Sequence, residues 1–341
     1  MPTAPSHLLA SDNVAGAHPL VLDAITRANA GHALAYGNDD FTRRAESAFN
    51  ELFGRDVRTL FVYGGTGANV LALASVLQQA ESVICTNWSH IHVDETGAPE
   101  RVLGAKLLDL TCADGKLTPD QVRAAAGARG NPHHAQPGVV SLTQPTELGT
   151  LYSPAEVRAI CDAAHECGLL VHMDAARIGN ATAALGGNRV ALRAFTVDAG
   201  VDVLSFGGTK AGIVFGEAVV WFDPRRAHFA IKQCIERGLR TTREVVVAVG
   251  ECVTSVGAGD GIQHQGMSAR GIVRRQHPRR CRRHRLPRTG TRCTRRCTRH
   301  GVHPKIRGGG FVMTKSGGKE RPRCEWCRTP LPQRDGVGRP R

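Results

Sequence analysis

The chain has 341 residues, 41% of them hydrophobic, enough to bury one large core or two moderate ones, so size excludes no enzyme class. Its formal charge of +14 is unevenly spread: the first 230 residues hold 17 basic and 23 acidic side chains, net −6. The last 111 hold 27 of the 44 basic and 7 of the 30 acidic residues, net +20. A nucleic-acid binder built throughout on positive charge is thereby excluded for the front part, and the basic character belongs to the tail.

Residues 1–17 read as an N-terminal arm that lacks a basic stretch leading into an apolar run, and nowhere is there an apolar run long enough to span a bilayer. A soluble, cytoplasmic protein with no membrane partner is expected. From Pro19 to Phe222, apolar residues at three- and four-residue spacings predict helices over Leu20 to Ala30, Phe41 to Leu52, Ala68 to Gln79, Pro119 to Ala126 and Pro154 to Cys167. Short β-branched runs predict strands over Thr59 to Val62, Ser82 to Cys85, Gly138 to Leu142, Leu169 to Met173, Asp202 to Phe206 and Ala218 to Phe222. This alternation predicts an α/β fold around a mainly parallel sheet. Thr118-Pro119 and Ser153-Pro154 each place a hydroxyl at an N-cap with proline at the first helical position, where its missing N–H costs nothing.

In open α/β sheets the ligand crevice lies outside the carboxyl ends of the strands, so the residues following them are the candidates for chemistry. Four clusters fall there. Gly64-Gly65-Thr66-Gly67-Ala68-Asn69 precedes a helix, where small residues and helix-terminal amides suit an anion; without a following lysine it is not a nucleotide P-loop. His172-Met173-Asp174-Ala175-Ala176-Arg177 ends an apolar strand in a carboxylate and a guanidinium, and Ser205-Phe206-Gly207-Gly208-Thr209-Lys210 runs from a strand into a lysine. Together these suggest pyridoxal 5'-phosphate, which needs a lysine to form a Schiff base and a carboxylate to keep its pyridine nitrogen protonated. The fourth cluster, His90-Ile91-His92-Val93-Asp94-Glu95, reads as an extended segment with alternating histidines. It has no third metal ligand, and His90 is better explained as an imidazole stacked on an aromatic cofactor; no metal site is expected.

These clusters, with Ser11-Asp12-Asn13, Ala35-Tyr36-Gly37-Asn38-Asp39, Asp94 to Glu100 and Gln144-Pro145-Thr146-Glu147-Leu148-Gly149, resemble in order and spacing the low-specificity threonine aldolases of the beta-eliminating lyase superfamily. The resemblance covers about residues 8 to 233. It implies the fold type I, aspartate-aminotransferase-like architecture, with residues 18–233 forming the large, cofactor-binding domain. It also implies that Lys210 holds the cofactor, Asp174 pairs with the pyridine nitrogen, Arg177 contacts the ring's 3-oxygen, and Gly65 and Thr66 hold the phosphate. His90 would stack on the ring and transfer protons. Ser11 would meet the substrate carboxylate, and Tyr36 would reach a neighbouring subunit's site in a homodimer or homotetramer. The implied reaction is retro-aldol cleavage of a β-hydroxy amino acid, threonine to glycine and acetaldehyde. Ala175 and Pro145 stand where the family usually has glycine and a small residue such as alanine.

After Gln233 the family's small domain and its carboxylate-binding arginine have no recognisable counterpart. Residues 234–312, Arg-rich and without an acidic residue between Asp260 and Glu320, are expected to be disordered and to represent an out-of-frame or rearranged stretch. Residues 313–341 carry Cys324 and Cys327, the spacing of half a zinc ribbon. The front cysteines, Cys85, Cys112, Cys161 and Cys167, read as core packing. Two competing readings are another pyridoxal phosphate-dependent β-eliminating lyase, and a nucleic-acid binder using the tail, which lacks aromatic interleaving.

Overall fold

The computed structural model describes residues 12–14, 16–34 and 37–227. The expectations for Ser11, for Tyr36 and for the segments 234–312 and 313–341 lie outside the described residues.

Two helices, α1 (Pro19–Ala28) and α2 (Asp40–Phe53), lead into β1 (Arg58–Val62), α3 (Gly65–Val76) and β2 (Glu81–Thr86). Next come α4 (His90–Val93), α5 (Ala98–Leu103), β3 (Lys106–Leu110), α6 (Pro119–Ala126), β4 (Gln136–Thr143) and α7 (Pro154–Glu166). The described part closes with β5 (Leu170–Ala175), α8 (Ile178–Ala184), α9 (Arg189–Ala194), β6 (Val203–Gly207) and β7 (Glu217–Trp221). Among the described residues the strands form one seven-stranded sheet in the order β1-β7-β6-β5-β4-β2-β3. It is parallel except for β7, which runs antiparallel to β1 and to β6.

Strand residues alternate between two cores, one on each face, because successive side chains point to opposite sides of a sheet. Val62, Val83, Val139, Val203 and Val219 pack on one face with Leu71, Leu73 and Val76 of α3. Phe61, Ile84, Val140, Leu204 and Val220 pack on the other with α2, α6 and α7. Phe49 of α2 is fully buried edge-on to Phe206, with ring centroids 5.1 Å apart, and burying a ring of that size contributes about 1.5–3 kcal/mol. Both predicted caps are present: the Thr118 hydroxyl accepts from Gln121 N–H at 3.3 Å and the Ser153 hydroxyl from Glu156 N–H at 3.2 Å, each within a capping box.

The sequence pattern misses β3. It is an edge strand in which only Leu107 is buried, so its apolar signal is weak. The segment after β2, expected to be extended, is instead a single helical turn. His92 and Val93 both donate to the Ser89 carbonyl, which buries Ile91 and folds Glu95 back beneath His90. Helix α3 begins three residues before the predicted start, so Gly65 and Thr66 lie in its first turn.

His172, on β5 two residues before Asp174, is fully buried between the hydroxyls of Ser141 (2.9 Å) and Ser205 (3.0 Å). Burial pushes its pKa down to about 4. The unfolded chain therefore takes up this proton first, and the stability contribution is complete above the ordinary value of 6.5 and lost as pH falls towards 4. Relative to His172→Gln, the unmodified chain should lose about 2 kcal/mol of unfolding free energy between pH 7 and pH 5, measured by denaturant titration. Parallel pH dependences for the two proteins would show that His172 is not the group responsible.

Candidate active site

The carboxyl ends of the parallel strands gather the predicted residues at one edge of the sheet. Asp174 is the penultimate residue of β5 and lies directly opposite Ser205 of β6, the strand that leads into Lys210. Lys210 sits half-buried in a tight turn, Thr209–Ala211, and makes no hydrogen bond or ion pair among the described residues. β1 leads into Gly64, the extended N-cap of α3, and a side chain added at Gly64, Gly65 or Gly67 would meet only open space. The first-turn amides of α3 have no acceptors within the helix, so this open end suits an anion.

A buried hydrogen-bonded line joins two of the predicted residues. The Asn69 side-chain amide donates one hydrogen to Asp174 Oδ2 (2.9 Å) and the other to Glu95 Oε1 (2.8 Å). His90 Nδ1 lies 2.9 Å from the same Glu95 oxygen, and with a carboxylate as acceptor it is the imidazole that donates. His90 Nε2 is thus left to exchange protons. The bond to Glu95 holds the His90 pKa above its ordinary value, against the opposing effect of burial, and Asp174 and Glu147 add to the rise. Asp174 Oδ1 also accepts from Ala176 N–H at 3.1 Å.

Arg177 is engaged by Asp12, through Nε and through Nη2 at 3.2 Å, and lies 4.0 Å from Glu147. Burial, and then Asp174, raise the pKa of Glu147, while Arg177, His90 and Lys210 act the other way, which places Glu147 among all these groups. Burial pushes Glu217 up to about 7. The structure therefore brings together Lys210, His90, Asp174 and Arg177, with Gly65 and Thr66 on the neighbouring helix end; Ser11 and Tyr36 lie outside the described residues.

Asn69, Glu95, Asp12, Glu147 and Glu217 receive no role from the sequence motifs. Two of them leave a signal: Asn69 interrupts an otherwise apolar helical run, and Glu217 opens an apolar strand, and a buried polar side chain requires a partner. Two buried atoms of this hydrogen-bonded line, Asn69 Oδ1 and Glu95 Oε2, have no hydrogen-bond partner among the described residues. An uncommitted lysine, a fixed carboxylate, an open helix end and a tethered imidazole form a donor set that fits a phosphorylated pyridine aldehyde.

The sequence matches the family model described as beta-eliminating lyase over residues 9–304, past Gln233 where the motifs stop. The chain belongs to the beta-eliminating lyase family. This beta-eliminating lyase is similar to a low specificity L-threonine aldolase of Pseudomonas sp. (strain NCIMB 10558), 44% identical over 234 residues, 68% of this chain and 67% of that protein. A protein of the same name from Pseudomonas aeruginosa is 45% identical over 230 residues, 67% of this chain and 66% of that one. The chain thus spans about two thirds of the length of these relatives. Among solved structures, a threonine aldolase of Leishmania major superposes with a TM-score of 0.67 at 30% identity, covering 72% of this chain and 71% of that one. An aspartate aminotransferase mutant of Thermus thermophilus superposes with a TM-score of 0.60 at 16% identity, covering 80% and 74%, a likeness of fold alone. The architecture is that of fold type I enzymes, and the cofactor of this beta-eliminating lyase is pyridoxal phosphate. No helix among the described residues is long and apolar enough to cross a membrane.

Proposed function

We propose that the chain is an aldehyde-lyase acting on β-hydroxy amino acids, cleaving L-threonine or L-allo-threonine to glycine and acetaldehyde. The relatives' names support this reading, and the observation that carries it is the line His90–Glu95–Asn69–Asp174. When bound, pyridoxal phosphate supplies an electron sink for the pair left at Cα. Lys210 Nζ would hold it covalently, the amides of Gly65 and Thr66 would bind its phosphate, and Arg177 would face its 3-oxygen. Asp174, kept an acceptor by Asn69 and Ala176, would hold the proton on the ring nitrogen. His90 would stack on the ring, and its Nε2 would take the β-hydroxyl proton as the carbonyl of acetaldehyde forms. Ser11 would meet the substrate carboxylate and Tyr36 a neighbouring subunit's site.

The protein is further proposed to be cytoplasmic and a homo-oligomer; exposed Leu20, Leu34 and Tyr63 support the second reading only, and light scattering on the purified sample reads its mass. The residues invoked all precede residue 211, and segments 234–312 and 313–341 are proposed to take no part in the chemistry. The full chain, purified with pyridoxal phosphate, should release acetaldehyde from threonine, but more slowly than a version whose residues after Gln233 are replaced by a family-like C-terminal domain, because the arginine that would orient the substrate carboxylate has no counterpart in the sequence. Pyruvate from serine or cysteine with no acetaldehyde from threonine would assign it to another β-eliminating reaction.

A further inference from the structure

Glu217 opens β7 opposite Gly207, the last residue of β6, and opposite Val62, the last residue of β1. It therefore sits between the strand that leads into Lys210 and the strand that leads into the open end of α3. It is 5% exposed, and among the described residues no lysine, arginine or histidine lies within ion-pair distance. A carboxylate buried without a cation is costly, and an apolar side chain would serve the sheet at lower cost. What the carboxylate does serve is the turn. Its Oε2 accepts from Gly208 N–H at 2.9 Å, and the backbone and hydroxyl of Thr209 also favour its charged form. Thr209 Oγ1 accepts from Gly216 N–H at 3.2 Å, which leaves the hydroxyl hydrogen free for Glu217.

The turn has no room to shift. A side chain at Gly207 would overlap the backbone of Ala176, two residues after Asp174, and one at Gly208 would come within 2.5 Å of the Gly216 carbonyl. We propose that Glu217 is the positioning residue for Lys210: its carboxylate fastens, from inside the sheet, the turn that aims the lysine at the cofactor. The proposal rests on the reading of Lys210 given above.

The test uses the full chain incubated with pyridoxal phosphate. The cofactor's dissociation constant is read by absorbance titration, and the fraction of Lys210 labelled after borohydride reduction by peptide mass. At a pH of about 8.5, above the value of about 7 to which burial raises it, Glu217 is ionised. There Glu217→Gln keeps the side chain's shape but loses its charge and an acceptor, and should weaken binding and slow labelling roughly tenfold, the loss expected for one charge-assisted hydrogen bond. In a Lys210→Ala background the same change should leave the dissociation constant unaltered, because no lysine remains to be positioned. Unchanged binding and labelling in Glu217→Gln, or equal weakening in both backgrounds, overturns the proposal while the role of Lys210 stands. An unmodified chain never labelled at Lys210 overturns the functional reading and this proposal with it.

Discussion

Lys210→Ala is expected to remove the visible absorbance of lysine-bound cofactor and to lower acetaldehyde release from threonine by roughly ten-thousandfold or more, the scale on which losing a covalent catalytic group acts. Lys210 is half-buried, its amine uncommitted among the described residues, and it is carried by the turn that follows the strand neighbouring Asp174 in the sheet. Asp174, the first-turn amides of α3 and His90 all remain in the variant, so it should still take up cofactor weakly and reversibly. A borohydride-stable adduct persisting on Lys210→Ala protein, or turnover within tenfold of the unmodified chain, would transfer the role to another lysine. The comparison separates covalent holding from mere occupancy, because only the former depends on Nζ.

The second large effect is expected at His90. His90→Phe keeps a ring that can stack but has no exchangeable proton, so cofactor affinity should be nearly unchanged while threonine cleavage slows by about a hundredfold or more. Glu95→Gln should produce a different signature. The bond from His90 to Glu95 holds the imidazole's pKa above its ordinary 6.5, and as a base His90 works only in its neutral form. The acidic limb of the rate profile therefore lies above 6.5 in the unmodified chain and should move to lower pH in Glu95→Gln. The linked stability contribution has the matching sign: it is complete below 6.5 and lost as pH rises through the elevated folded value, and Glu95→Gln should remove it. A rate profile whose acidic limb stays in place would show that His90 is not the titrating base, even if the maximal rate falls.

The sequence by itself determined the architecture and where along the chain the candidate groups stand. Alternating β-branched runs and amphipathic stretches state locally which face each residue presents, and six of the seven strands follow from that pattern; β3 does not, because an edge strand needs little apolar content. Lys210, Asp174 and the Gly64–Gly67 turn were legible because each stands at or shortly after the carboxyl end of a strand, where the sheet's polarity makes position in the chain equivalent to position at the crevice. Only the tertiary structure decided how these groups are connected. Asn69 and Asp174 are 105 residues apart in the chain, Arg177 and Asp12 are 165 apart, and Glu217 meets Gly208 only because β7 runs antiparallel beside β6. No local periodicity encodes such pairings. The helical turn at His90–Val93 belongs with them: its sequence is compatible with an extended run, and burial of Ile91 together with the return of Glu95 beneath His90 selects the turn. Strand and helix propensity act over a few neighbouring residues, whereas a buried polar group is placed by whichever distant partner satisfies it, and that partner exists only once the sheet has formed.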